Sequence, residues 1–382
     1  MKFQLSWIGM GNVPGFGCAL EGNVILEELY KSTDKQGGTA LSSSRFVCTA
    51  NHGFAPYAQE ELRRMFGSVK STILLPGEIF LATLPADASE AMGTIMGQPP
   101  MFLRHLFPVH FQEEGTDLAQ VLERLVAFIR NRRELIDQRV SLQVRKGADS
   151  SWTESAGALK QALSEQISDL HMELTVQGAD VIVSVFADTD TWYAGVSHPQ
   201  DNLSDWSGGA VRFQKEDGQI SRAKFKLLEA EATFGIDFSA FHQGLDIGAA
   251  PGGWTSFLLE RGLKVTAVDP AKMEPSLMKY ANLTFLRKNA SEVKFKENTF
   301  DLLVCDMSWS PKQMARLVTD LLYSLRSGGT AIVTVKLMHK KPLALIHDVI
   351  ASFEQSGMQI QRAKQLFHNR DEITLYMIKY GK

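Results

Sequence analysis

The sequence predicts a mixed α/β protein, with a seven-stranded sheet over residues 206–382 preceded by smaller α+β units. Three observations lead there. The run Leu245-Asp246-Ile247-Gly248-Ala249-Ala250-Pro251-Gly252-Gly253-Trp254 reads as a strand ending near an acid, a glycine-rich turn and the first residues of a helix that continues through Leu259. Strand and helix patterns then alternate to the end of the chain, as in a doubly wound sheet. The last two strands are joined only by His368-Asn369-Arg370-Asp371, too short for a parallel crossover, so six parallel strands are closed by one antiparallel return.

Composition sets the frame. At 382 residues the chain has room for two or three domains, and 44% hydrophobic with 22% charged residues is ordinary for a globular protein. No apolar run approaches the roughly 18 residues of a membrane span. Three scattered cysteines, Cys18, Cys48 and Cys305, suggest neither a disulfide framework nor a zinc site, and no metal is expected. The N-terminus, broken by Gly9, Gly11, Pro14 and Gly15, is a poor signal peptide, so a cytoplasmic location is expected. The net charge of −3 hides an asymmetry: residues 1–205 carry 16 basic and 25 acidic residues, and residues 206–382 carry 24 basic and 18 acidic ones. A nucleic-acid substrate suits the basic half, although a solvated surface also accounts for that excess.

Residues 1–44 read as an N-terminal extension, with a Gly/Ser-rich stretch from Lys31 to Ser44 that suggests a linker or disorder. From there a short strand at Phe46–Ala50, an amphipathic helix at Pro56–Phe66 and a hairpin at Ser71–Leu84 turning at Pro76-Gly77 make a small α+β unit over 45–115. A helix from Thr116 to Arg133 ends in arginines that suit a helix C-terminus, with RNA contact as the alternative role. A strand at Val140–Arg145, a helix at Ser151–Ile167 and strands at Asp180–Phe186 and Trp192–Val196 complete a second module over 116–205. The turn formers of Ser197–Trp206 mark its boundary, and His198 there reads as a turn residue.

In the C-terminal half, a helix opens at Ser221-Arg222-Ala223-Lys224-Phe225-Lys226 and leads into the strand of Asp246. Later strands are expected at Leu263–Val268, Leu283–Arg287, Phe300–Met307, Gly329–Leu337, Met358–Phe367 and Glu372–Tyr380, with helices at Pro311–Leu325 and Pro342–Ser356. A dinucleotide site calls for G-x-G-x-x-G after the first strand. Here Asp246-x-Gly248-Ala249-x-Pro251-Gly252-Gly253 puts an acid inside the motif, which favours S-adenosylmethionine. Asp246 can face the cofactor's ammonium group, Asp269 can accept hydrogen bonds from ribose hydroxyls, and the glycines permit close backbone approach beside a helix N-terminus.

Ligands of open α/β sheets gather at the carboxyl ends of the parallel strands. Asp246, Asp269, Asp306 and Lys336 end such strands, Glu372 opens the antiparallel one on the same edge, and Lys226 can join them from its helix. Singly, each reads as an edge or surface charge. Together, two lysines and two carboxylates suit deprotonation of a ribose hydroxyl: Lys336 as base, Lys226 lowering its pKa, and Asp306 and Glu372 holding both ammonium groups.

These residues carry a resemblance. Lys226, Asp306, Lys336 and Glu372 resemble the K-D-K-E tetrad of FtsJ/RrmJ-type RNA 2'-O-ribose methyltransferases. Ser221-Arg222-Ala223-x-Phe225-Lys226-Leu227 and the segment from Asp246 to Trp254 are similar to that family's opening motifs. Residues 45–62, the strand Trp192–Ser197 and Asp201-Asn202 through Trp206 resemble the RlmM group, 23S rRNA cytidine 2'-O-methyltransferases. The resemblance implies a class I, Rossmann-like methyltransferase domain over 206–382, a ferredoxin-like unit over 45–115 and a THUMP-like RNA-binding domain over 116–205. It also implies a cofactor pocket shaped by Asp246, Gly248, Ala249, Pro251, Gly252, Gly253, Trp254, Asp269 and Asp306. Near the adenine, where many relatives carry an acid, this chain has Asn289, which hydrogen-bonds without adding charge.

The expectation is therefore a monomeric, S-adenosylmethionine-dependent enzyme that methylates large-subunit rRNA at a ribose. Methylation of tRNA or mRNA caps uses the same tetrad with other appended domains. A non-catalytic assembly factor or a nicotinamide-dependent dehydrogenase would use the glycine turn but not the two lysines.

Overall fold

Three sheets follow one another along the chain in the computed structural model, which describes residues 42–115, 117–147, 150, 152–214, 218–337 and 341–381. Residues 1–41, most of the expected N-terminal extension, lie outside the described residues.

The first sheet is built from β1 (Ser44–Ala50), α1 (Ala55–Phe66), β2 (Lys70–Leu75), β3 (Ile79–Leu84), α2 (Ala88–Gly97) and β4 (Leu103–Pro108). Its strands pair antiparallel in the order β2-β3-β1-β4, the topology of a ferredoxin-like unit. Pro56 sits in the first turn of α1, where a missing N–H costs nothing. Helix α2 and strand β4 are additions to the sequence reading. Two glycines weaken the pattern of α2, which is fixed instead by the Asp87 carboxylate accepting the Glu90 N–H at 2.8 Å. Arg104 and His105 make β4 look polar, yet the whole strand is buried.

The second sheet contains β5 (Phe111–Glu114), β6 (Arg139–Lys146), β7 (Glu173–Leu174), β8 (Val181–Ala187) and β9 (Thr191–Ser197) in the order β5-β9-β8-β6-β7. Its helices are shorter than the periodicity suggests. Helix α3 (Leu118–Arg130) starts where Asp117 accepts the Ala119 N–H at 2.9 Å, and α4 (Ala156–Gln166) starts where Ser155 Oγ accepts the Ala158 N–H at 3.1 Å. Arg130 grips Asp169 at 2.6 and 2.8 Å and the Gln166 carbonyl at 2.7 Å, so it serves packing within the module. His198 Nδ1 meets the Asp180 carbonyl at 3.1 Å, in keeping with a turn role.

The third sheet positions the site. It comprises β10 (Gln243–Ile247), β11 (Lys264–Val268), β12 (Leu283–Leu286), β13 (Phe300–Cys305), β14 (Leu325–Lys336), β15 (Met358–Lys364) and β16 (Glu372–Lys379). Their order is β12-β11-β10-β13-β14-β16-β15, with β16 antiparallel to both neighbours; β15 ends earlier than expected, so the connection is the seven residues 365–371, still too short for a parallel crossover. Helices α5 (Lys224–Phe234), α6 (Gly253–Glu260), α7 (Pro311–Leu321) and α8 (Pro342–Gln355) accompany it. This is the mixed seven-stranded, Rossmann-like arrangement expected from the loop lengths. Its core joins Leu227, Trp254, Phe257, Val265, Leu302 and Ile332. Among the described residues no helix is long and apolar enough to cross a membrane.

Candidate active site

Strand register creates the site. Glu372, the first residue of β16, lies directly opposite Lys336, the last of β14, so opposite charges face each other at one edge of the sheet. Asp306 follows the end of β13 on the neighbouring parallel strand, and Lys226 is the third residue of α5. The four side chains meet. Lys226 Nζ lies 2.8 Å from Asp306 Oδ2 and 2.5 Å from Glu372 Oε1. Lys336 Nζ lies 3.1 Å from Asp306 Oδ1 and is bonded to Glu372 Oε2. Each ammonium therefore touches both carboxylates in a closed ring of two cations and two anions. Thr334, two residues before Lys336 and hence on the same face of β14, donates to Asp306 Oδ1 at 2.7 Å. Asn369 donates to Glu372 Oε1 at 3.3 Å. Sequence reasoning missed both; the period-2 spacing from Lys336 is the signal that points to Thr334.

The ring corrects one electrostatic expectation. Burial pulls the Lys336 ammonium down, but Asp306 and Glu372 outweigh it and hold its pKa above the ordinary lysine value. Lys226 does not depress it, because both lysines are matched by the same two carboxylates. Burial likewise raises Asp306, and Lys226 with Lys336 reverses this, leaving its pKa below the usual carboxylate range.

Beside the ring lies the glycine turn. Asp246 on β10 is 1% exposed and accepts the Thr255 hydroxyl at 2.6 Å; burial, with the charges of Asp306 and Asp269 adding to it, pushes its pKa up to about 7. Asp306 and Asp269 both disfavour the ionised form of Asp246, so a cationic ligand at this edge stabilises it. Asp269, just past β11, accepts the Ala250 N–H at 3.1 Å and the Ala271 N–H at 2.7 Å, which fixes its carboxylate at the turn. The Gly248 and Ala249 N–H groups both go to the Val268 carbonyl, and the Pro251 carbonyl accepts the Glu274 N–H at 3.0 Å. This acid-lined edge fits a small ligand carrying positive charge and hydroxyl donors.

Gly248 and Gly252 hold left-handed backbone conformations that favour glycine, and packing adds a second reason. A Cβ on Gly252, whose φ is +117°, would stand 2.3 Å from Leu277 Cδ1, and one on Gly253 would stand 2.9 Å from Ser221 Cβ. At Gly248, with φ +75°, it would stand 2.4 Å from Met307 Cγ. Close packing of the protein on its own turn therefore requires these glycines. Trp254 is buried in the core, and its indole donates to the Ala223 carbonyl at 2.8 Å. That carbonyl also accepts the Lys226 N–H at 3.0 Å, so Trp254 fixes the helical turn that presents Lys226. Asn289 is exposed and its amide donates to Glu292 at 2.9 Å, a local bond at the start of a short turn.

Residues 219–354 match the family described as FtsJ-like methyltransferase, which spans the segments bearing Lys226, Asp306 and Lys336. The protein named Ribosomal RNA large subunit methyltransferase M from Halorhodospira halophila is 34% identical over 196 residues, 50% of this chain and 56% of that one. Its namesake from Psychromonas ingrahamii is 34% identical over 210 residues, 51% of this chain and 56% of that one. The chain thus spans about half the length of the curated relatives it matches. Among solved structures, TrmN from Thermus thermophilus is similar at 14% identity over 88% of this chain and 99% of its own, with a TM-score of 0.38.

Proposed function

We propose that the chain whose residues 219–354 form an FtsJ-like methyltransferase domain transfers a methyl group from S-adenosylmethionine to a ribose 2'-hydroxyl of 23S rRNA, at a cytidine. The observation that carries the reading is the closed ring of Lys226, Asp306, Lys336 and Glu372 beside the acid-lined turn of Asp246 and Asp269. A binding protein has little use for two lysines held by two buried acids at a ligand edge.

S-adenosylmethionine supplies an electrophilic methyl group when bound. Asp246 and Asp269 hold its cationic and hydroxyl-bearing parts. Lys336, as the neutral amine, takes the 2'-hydroxyl proton as that oxygen attacks and becomes an ammonium, while Asp306 and Glu372 keep both lysine nitrogens in line. Because two lysines share the same two carboxylates, a further positive charge at this edge tips Lys336 toward its neutral amine. Lys226, gripped by Asp306 and Glu372, stabilises the reacting oxygen. Residues 116–205, whose sheet β5 (Phe111–Glu114) joins, serve as a THUMP-like RNA-binding domain after the ferredoxin-like unit, whose last strand ends at Pro108. The protein works as a monomer in the cytoplasm, a setting that the unbridged Cys48 and Cys305 support.

Incubation with methyl-labelled S-adenosylmethionine and, separately, undermodified 23S rRNA, 16S rRNA and tRNA, followed by nucleoside analysis, tests this. Label is expected in 2'-O-methylcytidine from 23S rRNA alone, and Lys336→Ala is expected to slow it by about 10²–10⁴-fold. Label in tRNA would replace the substrate and keep the chemistry. Label on a base would overturn the reading.

A further inference from the structure

Asn51, immediately after β1 in the first sheet, reaches the connection between β15 and β16. Its side-chain amide donates to the Leu366 carbonyl at 2.8 Å and the Asn369 carbonyl at 2.9 Å. Its oxygen accepts Arg104 Nη1 at 2.6 Å, and Arg104 is itself buried, donating to the Gly208 carbonyl at 2.9 Å. Both donors and one acceptor position of the Asn51 amide are thus used, which fixes its orientation.

The connection it holds ends in the active site. Asn369 Oδ1 accepts the Leu366 N–H at 2.9 Å and the Thr374 hydroxyl at 3.0 Å, which turns its Nδ2 toward Glu372 Oε1, 3.3 Å away. Glu229, one turn after Lys226 on α5, accepts the N–H groups of Phe367 at 2.6 Å and His368 at 2.9 Å. Carbonyls of this segment are therefore held from the first sheet, and its amides from the helix that supplies Lys226. Asn51 is 7% and Asn369 2% exposed, so water does not compete for these bonds.

We propose that Asn51 is a positioning residue of the methyl-transfer reaction: acting through Asn369, it holds the Glu372 carboxylate in the one orientation that grips Lys226 and Lys336 together. The first sheet is then part of the reaction machinery and not only an appended module. This rests on the activity proposed above. The groups facing Lys336 are Asp306 beyond β13, Lys226 on α5, Glu372 opposite on β16 and Thr334 on its own strand, with Asp246 of β10 behind Asp306.

Two variants of the full chain test the brace. Asn51→Ala frees the connection without touching the ring, and is expected to lower kcat by about 10- to 100-fold while S-adenosylmethionine affinity is retained. Asn369→Asp keeps the shape and both acceptor bonds but sets a carboxylate against Glu372. Its loss of kcat is expected to be recovered at higher pH, whereas that of Asn51→Ala is not, because there orientation and not proton availability is lost.

Titration of Lys336 by 13C NMR, assigned by its disappearance in Lys336→Arg, reads the same brace without turnover. Its midpoint is expected to move up in Asn369→Asp and down in Asn51→Ala, opposite shifts that a merely structural role does not produce. A Lys336 midpoint unchanged from the parent protein in a folded Asn51→Ala, or that variant turning over at the parent rate, would overturn the proposal. Should Asn51→Ala fail to fold, the isosteric Asn51→Asp, which keeps an acceptor for Arg104 and loses both amide donors, takes its place. If the parent protein methylates no RNA, the activity reading falls, and the lysine titration still judges the brace.

Discussion

Two buried charge networks lie within one turn of each other on α5, and they solve burial in opposite ways. Lys226 enters a ring in which ammonium groups meet carboxylates directly, and Lys336 there is held above the ordinary lysine pKa. Glu229 enters a network where charges meet backbone dipoles. Its carboxylate accepts two N–H groups, and Lys364 donates to the carbonyls of Pro100 at 3.0 Å and Leu103 at 2.6 Å. Burial there pushes Glu229 up to about 7 and Lys364 down to about 8. Formal counter-charges preserve ionisation in a dry site, whereas peptide dipoles offset only part of the desolvation cost. The first arrangement suits chemistry that needs fixed charges. The second suits docking, since it joins the first sheet to β15.

The sharpest way to break this contrast is Glu372→Ala. It leaves two half-buried ammonium groups facing one carboxylate, and an unfolding free energy lower by about 3 kcal/mol is expected in urea titration. A change within experimental scatter would mean that the ring is not interdependent.

Next comes the pH dependence of Glu229. Its folded pKa stands above its unfolded value, so its stabilising contribution is complete below about 4.5 and is lost as pH rises through about 7. Between pH 5 and 7.5 the parent protein should therefore lose about 2–3 kcal/mol relative to Glu229→Gln, with Asp246 contributing equally to both. Parallel stability curves for the two proteins would remove Glu229 from the dipole-solvated class.

Smallest is Trp254→Phe. The Ala223 carbonyl keeps the Lys226 N–H, so losing the indole donor should cost about 1 kcal/mol in thermal unfolding and slow methyl transfer a few-fold. An unchanged rate would show that the Lys226 turn holds without the indole.

Much of the site was legible because it sits where chain pattern and topology coincide. Asp306 and Lys336 follow from apolar strands ending in charge, and Glu372 from a connection too short to cross over. The partners that orient them were not legible. Asn51 lies 318 residues from Asn369 in sequence, and nothing in the local pattern around either one signals a shared hydrogen bond. Helix α2 and strand β4 were hidden by glycines and by Arg104 and His105: tertiary partners absorb the Arg104 guanidinium, while the His105 ring is buried with neither nitrogen hydrogen-bonded among the described residues.

The sequence by itself determined the order of the strands in the third sheet's half of the chain, the antiparallel last strand and the edge at which the four charged residues gather, because hydrophobic periodicity and loop length act locally along the chain. Only the tertiary structure decided the sign of the Lys336 shift, the packing reason for Gly252 and Gly253, and the brace from Asn51 to Glu372. Those depend on which distant groups share a dry, close-packed space, and electrostatic and steric energies are set by distances of a few ångströms that no run of residues contains.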